Sequence, residues 1–148
     1  MKKNEIEKER IDEVLYRFLQ CVYLFEQREK DLFQVSWDEV YLMQLLLRNH
    51  SMTISELSRR LNTKAFTISR MISRLSNHNL VVRESSSKDK RNVMVSMAPL
   101  GIEKMKEIES YNYNTIMANL GKIKGMDIHT IMNGIEQLDV LLDLKDLV

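Results

Sequence analysis

The sequence predicts a mainly α-helical fold with one small β-hairpin, an α+β arrangement built from a single domain spanning residues 1–148. One proline and four glycines leave few interruptions for helices. Near both chain ends, apolar residues recur at spacings of three and four, a pattern typical of helices that pack along one side. Between these ends, two β-branched runs flank a polar loop, which predicts the hairpin.

The first predicted helix spans about residues 4–31 and is apolar on two sides. One side is a seam with alternating spacings of three and four, formed by Ile11, Val14, Phe18, Cys21 and Phe25. Such a helix must be covered twice, once by its own domain and once by another surface, so we expect a homodimer. We expect Cys21 to be a small buried hydrophobe, because free cysteine is among the most buried residue types. A redox-active thiol would instead need exposure and a lowered pKa.

Two capping boxes mark the starts of the next two helices. Ser36 precedes Glu39 by three residues, and Thr53 precedes Glu56 by the same spacing. The first of these helices is predicted to end at residues 49–51. Its expected buried face consists of Trp37, Val40, Tyr41, Leu45 and Leu46.

A turn and a fourth helix are predicted over residues 62–77. One apolar stripe of this helix consists of Ile68, Met71, Ile72 and Leu75. The remaining faces carry Lys64, Thr67, Ser69, Arg70, Ser73 and Arg74. Short hydroxyls and arginines on one helix suit the base edges and phosphates of a DNA major groove, so we expect a recognition helix here.

The charge distribution also favours a polyanionic partner. The chain carries a formal net charge of +1, but the segment from Thr53 to Arg91 carries +6 and the remainder −5. A basic block inside an otherwise acidic chain is the electrostatic footprint of nucleic-acid binding. A solvated basic face would give the same count, so charge alone leaves both interpretations open.

The predicted hairpin pairs residues 80–83 with residues 91–96, and its tip carries Lys88, Lys90 and Arg91. Following a helix pair, such a hairpin would be a wing, so residues 36–98 are predicted to form a winged helix-turn-helix.

Two further helices are predicted after the wing. Pro99 fits the first turn of a helix that runs to about residue 120, and the last helix is expected over residues 127–145. The last helix carries its own seam of Ile128, Ile131, Ile135, Leu138 and Leu142. We therefore expect long N- and C-terminal dimerisation helices, about residues 4–31 and 99–146, that pack together across a two-fold axis.

The motif search gives no basis for an enzyme. The sequence lacks glycine-rich phosphate loops, GxSxG, HExxH and CxxC, so no cofactor is expected. His50, His78 and His129 lie far apart, and the first two are expected at helix ends rather than on a metal. Without a membrane-length apolar run or a signal-peptide pattern, and with one cysteine, the sequence favours a cytoplasmic protein.

The ten methionines allow two interpretations. Met43, Met105 and Met117 are expected to fill gaps in the core. Methionines near Tyr16, Trp37 and other aromatic residues could instead line an adaptable pocket for an aromatic ligand.

The stretch from Ser36 to Gly101 resembles the MarR family of bacterial winged-helix transcription regulators. The matching stretches are SWDEVYLMQLLL, TISELSRRLNTKAFTISRMISRL and NLVVRESSSKDKRNVMVS. The most specific signature is Asp89-Lys90-Arg91, where the family's wing carries Asp-x-Arg. The chain departs from the family in two places. Asn79 stands where glycine usually precedes the wing, and Met97-Ala98 stands where Leu-Thr precedes the next helix.

The resemblance implies a homodimeric, sequence-specific repressor that a small molecule releases from near-palindromic operators in double-stranded DNA. The DNA-binding residues it indicates are Lys64, Ala65, Thr67, Ser69, Arg70, Arg74, Lys88, Asp89, Lys90 and Arg91. The effector pocket for a small aromatic ligand would involve Tyr16, Trp37, Tyr41 and Met105. The alternative is a winged-helix adaptor that binds protein through its apolar stripes and binds no DNA.

Overall fold

Seven α-helices and a three-stranded sheet make up the described part of the chain. The computed structural model describes residues 6–86 and 89–144, and gives only the backbone of residues 86 and 89–92. The helices are α1 (Lys8–Phe33), α2 (Trp37–Asn49), α3 (Ile54–Arg60), α4 (Ala65–Asn77), α5 (Pro99–Asn119), α6 (Ile128–Ile135) and α7 (Leu138–Leu141), with a 3₁₀ turn at Leu120–Lys122. The strands are β1 (Ser51–Thr53), β2 (Val81–Ser86) and β3 (Asp89–Met97). All pairs are antiparallel in the order β1-β3-β2, so the predicted fold class is confirmed.

Both predicted capping boxes are formed. The Ser36 hydroxyl accepts a hydrogen bond from the Glu39 backbone N–H at 3.2 Å, and the Glu39 carboxylate accepts one from the Ser36 N–H at 2.9 Å. The same exchange joins Thr53 and Glu56 at 3.1 and 2.8 Å. These bonds to Thr53 lower the pKa of the Glu56 carboxyl. An N-cap of this kind typically stabilises the start of a helix by about 1 kcal/mol, through hydrogen bonds that do not depend on packing.

The core lies between α2, α4, the sheet and α5. Its fully buried side chains include Leu42, Met43, Leu46, Leu57, Ile68, Ile72, Leu75, Val95 and Met105. Burying each such side chain contributes about 1.5–3 kcal/mol, so this layer is what holds α4 in place. The predicted stripe of α4 is confirmed, whereas Met117, expected in the core, is half exposed on α5.

The junction between α4, the wing and α5 is built around the backbone of Leu80. Asn79 has φ +58°, a left-handed conformation that asparagine tolerates better than most residues, and the Leu80 N–H donates to the Leu75 carbonyl at 2.9 Å. The Leu80 carbonyl accepts from the Ala98 N–H at 3.0 Å. Gly101 packs so closely here that a Cβ on it would stand 2.0 Å from the Leu80 oxygen.

The C-terminal region differs from its prediction. Instead of one helix over residues 127–145, the chain forms α6 and α7 with a break at residues 136–137. A glycine such as Gly134 makes a helix about 1 kcal/mol less stable than alanine would. The Gln137 N–H donates to the Gly134 carbonyl at 3.3 Å, three residues back rather than the four of an α-helix.

The terminal helices of one chain enclose an apolar groove of about 470 Å³, which we call the α1–α7 groove. It is lined by Ile6, Arg10, Ile11, Val14, Leu15, Phe18, Leu138, Leu141 and Leu142. Val14 is 51% exposed and Leu141 78% exposed, so much of this surface has no cover within one chain. Cys21, expected to be buried, is instead exposed on α1, outside this groove.

The C-terminal half of α1 packs on α2 and α5 through aromatic rings. Phe25 meets Trp37 edge-to-face with ring centroids 5.5 Å apart, and Phe33 meets Tyr111 at 5.6 Å. The Arg28 guanidinium lies 5.5 Å from the ring centroids of both Phe25 and Tyr111. These contacts fix the α1–α2 corner from which the helix-turn-helix extends.

Glu29 is fully buried beside this cluster. Among the described residues, neither of its carboxyl oxygens nor Asn112 Oδ1 has a hydrogen-bond donor. Burial raises the pKa of Glu29, and this effect outweighs the lowering effects of the Asn112 side chain and the Arg28 charge. Folding therefore favours the protonated carboxyl relative to the unfolded chain.

The raised pKa of Glu29 predicts that the stability of the fold depends on pH. The folded protein holds the Glu29 proton to higher pH than the unfolded chain, so stability falls as pH rises from about 4.5 through the folded-state pKa. We expect Glu29→Gln to remove that decline and to raise the free energy of unfolding at neutral pH by about 1 kcal/mol. Urea unfolding from about pH 4.5 to 8 measures this, with the exposed Glu107→Gln as control. Parallel profiles for wild type and Glu29→Gln would contradict the prediction.

Candidate nucleic-acid interface

A rigid turn joins α3 to α4. Asn62 has φ +48°, and the Thr63 N–H donates to the Ser58 carbonyl at 3.0 Å. The Ser58 hydroxyl donates in return to the Thr63 carbonyl, and the Thr63 hydroxyl donates to the Leu61 carbonyl at 2.9 Å. These bonds close the turn with local side chains, so the angle between the two helices is set within this segment.

Helix α4 packs its apolar stripe inward and leaves the opposite side in solvent. Ile68, Ile72 and Leu75 are fully buried, whereas Phe66 and Arg70 lie on the far side and are exposed. Successive helical residues are about 100° apart, so Phe66 and Arg70 both lie within about 20–30° of the point opposite the stripe. The outward side of α4 is therefore available for a large partner.

The residues predicted at the start of α4 lie on its exposed surface. Lys64 is the N-cap residue, and Lys64, Ala65, Thr67 and Arg70 are all exposed, while Ser69 is half-buried at the edge of the apolar stripe. They occupy the N-terminal half of the helix, the part that enters the major groove in helix-turn-helix proteins.

Arg74 has partners different from those expected of it. Its guanidinium lies 3.0 Å from the Glu39 carboxylate and donates to the Gln34 carbonyl at 2.6 Å. Glu39 is nearly buried and also closes the α2 capping box, and Gln34 ends α1 in a left-handed conformation. Arg74 therefore ties α4 to the α1–α2 corner. The spacing of four residues between Arg70 and Arg74 predicts a shared DNA-facing side of the helix. In the structure, Arg74 projects about 40° further round α4 than Arg70 does and contacts α2.

The wing is anchored to α4 at its base. Arg83 on β2 donates to the Ser73 hydroxyl of α4 at 3.2 Å. The backbones of Asp89, Lys90 and Arg91 belong to β3, but their side chains lie outside the described residues, as does Lys88 entirely. The hairpin thus extends from a fixed point beside α4.

The four residues of the predicted effector pocket are not brought together. Tyr16 is 72% exposed on α1, and Met105 is buried in the core. Trp37 lines a small open cavity of about 170 Å³ whose other lining residues are Glu26, Gln27, Lys30, Ser36 and Asp38. Tyr41 is partly exposed on α2, outside that cavity.

Phe66 and Arg83 belong to the candidate interface but are not among the residues predicted from the sequence. The signal for Phe66 was present, because an aromatic residue stands where the period of α4 requires a solvent-facing one. Arg83 carried no local signal, because its contact with Ser73 depends on how the hairpin folds back onto α4.

Comparison with known proteins finds a family match for this arrangement. Residues 35–93, from just before α2 to the middle of β3, match the model of the MarR family. Over this stretch the chain is similar to that family. The match includes α4, the turn before it, β2 and the first half of β3, which are the elements of the candidate interface.

Solved structures share the fold over nearly the whole chain. Streptococcus pneumoniae FabT in complex with DNA is 18% identical with a TM-score of 0.72, covering 96% of this chain and all of that one. A mutant of E. coli MarR complexed with operator DNA is 15% identical with a TM-score of 0.64, covering 90% and 99%. NadR in complex with 4-hydroxyphenylacetate is 18% identical with a TM-score of 0.60, covering 97% and 96%.

Two negative findings complete the comparison. No curated protein sequence matches the chain significantly. Within residues 6–86 and 89–144, the helices are too short or too polar to span a membrane.

Proposed function

We propose that the protein is a homodimeric, sequence-specific DNA-binding transcriptional repressor. The observation that carries this proposal is the outward side of α4, which holds Arg70 in solvent while the buried stripe and the closed turn fix the helix. An exposed helix of this kind fits a major groove, and the adjacent hairpin would reach the neighbouring minor groove, where arginine is favoured in narrow A·T-rich tracts.

Dimerisation in this proposal uses the α1–α7 groove and the seam beside it. Adjoining exposed apolar side chains that nothing in one chain covers are typical of interaction surfaces. A second copy with the same self-complementary surface would cover them about a two-fold axis. Such a dimer would present its two α4 helices to half-sites about one helical turn, or ~34 Å, apart on a near-palindromic site.

Release by a small molecule is the regulatory part of the proposal. The support is the likeness to NadR with its bound 4-hydroxyphenylacetate, together with the Arg74 contacts. A ligand beside Trp37 would press on the α1–α2 corner, and Arg74 would pass that movement to α4. Thermal shift with aromatic acids tests this part, and no stabilisation by any of them would count against it.

The wing supplies the direct test of DNA binding. We expect Arg91→Ala to weaken binding to a duplex selected from a random pool by about tenfold, because an arginine contact with DNA contributes roughly 1–3 kcal/mol. Fluorescence anisotropy at several salt concentrations measures the affinity and its salt slope. The control is Lys106→Ala, which removes an exposed positive charge from α5.

The adaptor alternative predicts a different result. A protein that binds no DNA would elute from heparin at low salt and would enrich no sequence from the pool. If Arg91→Ala binds an enriched sequence with unchanged affinity, the wing does not contribute to DNA binding, and α4 remains the proposed contact.

A further inference from the structure

Phe66 is an aromatic residue in an unusual position. It is the second residue of α4, is 73% exposed, and lies almost opposite the buried stripe. A ring of this size in solvent contributes nothing to the core that holds α4. Its location in the first turn places it where helix-turn-helix proteins contact base edges rather than phosphates.

Arg70 lies one helical turn further on, over the same ring. Its guanidinium carbon is 5.8 Å from the Phe66 ring centroid, within the range of a cation–π contact. The ring therefore restricts the guanidinium and orients its planar fork before any partner arrives. Arg74, the other arginine of α4, is held by Glu39 and Gln34, so Arg70 is the arginine that projects from this side of the helix.

We infer that Phe66 and Arg70 form a base-reading pair, an inference that rests on the proposed function. The Phe66 ring would contact the C5 methyl group of a thymine, and the Arg70 fork would donate two hydrogen bonds to O6 and N7 of a guanine. The two residues are four apart, or about 6 Å along the helix, and base pairs are about 3.4 Å apart. Each half-site should therefore contain a thymine and a guanine separated by one or two base-pair steps.

Two chemical substitutions in DNA isolate these contacts. A duplex is first selected from a random pool with the full-length wild-type protein. Replacing the thymine with deoxyuracil removes only the methyl group and should weaken wild-type binding about fourfold, the equivalent of one buried methylene. Replacing the guanine with 7-deazaguanine removes one acceptor of a charge-assisted hydrogen bond and should weaken it about tenfold.

Protein variants then assign each effect to its residue. Phe66→Ala should bind the selected duplex more weakly and lose its response to deoxyuracil. Arg70→Met keeps a long side chain but has no hydrogen-bond donor, so it should lose the response to 7-deazaguanine. Tyr113→Ala removes a similarly exposed aromatic ring from α5 and should keep both responses. Positions 66 and 70 are exposed, and unchanged thermal melting of the variants checks that each still folds.

The outcomes separate this inference from the proposed function. If both base substitutions leave the affinity for the enriched sequence unchanged, the pair is overturned while DNA binding stands. The same holds if Phe66→Ala shows the same sequence preference as the wild type. An Arg70→Met protein that keeps its response to 7-deazaguanine would show that another residue contacts this guanine, which would overturn the role given to Arg70. If no sequence is enriched by the wild type, the proposed function fails together with the inference.

Discussion

Replacing Val14 with glutamate is expected to give a monomer whose affinity for a two-half-site duplex is at least about a hundredfold lower. Val14 lines the α1–α7 groove and is 51% exposed in one chain, so the substitution should leave the folded chain intact. In a dimer the new carboxylate would be buried against apolar side chains, which costs several kcal/mol. Loss of the second half-site removes the avidity gain, typically 10²–10⁴-fold.

Sedimentation velocity and fluorescence anisotropy measure these two effects. The matched control is Leu100→Glu, which places the same charge on an exposed apolar position in the first turn of α5, away from the groove. A Val14→Glu protein that sediments as the wild type does would show that the terminal helices are not the interface.

Replacing Gly101 with alanine is expected to lower the free energy of unfolding by about 3 kcal/mol. The added Cβ would stand 2.0 Å from the Leu80 carbonyl oxygen, which belongs to the backbone and also accepts the Ala98 N–H. Relief therefore requires separating α5 from the base of the wing, with loss of that hydrogen bond. For a chain of this length the melting temperature should fall by roughly 10 °C.

Gly121 provides the matched comparison. A Cβ on Gly121 meets no atom within 4 Å, so Gly121→Ala should be neutral or stabilise by up to about 1 kcal/mol through the unfolded chain. Equal melting temperatures for the two alanine variants would show that α5 can shift away from Leu80 without cost.

The parts of the fold that sequence predicted well are those specified by neighbours within a few residues. Ser36 and Thr53 sit three residues from their carboxylate partners, and the buried stripe of α4 repeats with the helical period. Asn79 could be expected in a left-handed conformation because few residues other than glycine tolerate it. Such features need no knowledge of the rest of the chain.

The features that sequence missed depend on contacts between distant residues. Arg74 and Glu39 are 35 positions apart, so nothing near Arg74 in sequence indicates that its guanidinium is occupied. Cys21 follows the pattern of a buried seam, yet it is exposed in one chain, because the spacing of apolar residues does not show which surface covers each of them. The break between α6 and α7 interrupts a periodicity that by itself predicts one continuous helix.

The Glu39 carboxylate has a consequence for the genetics of the protein. It is only 6% exposed, yet it both closes the start of α2 and holds Arg74 of α4. Alleles that alter it would be pleiotropic, weakening the scaffold and misaligning α4 at once. If the protein is the proposed repressor, a screen for loss of repression would therefore recover substitutions at this nearly buried position.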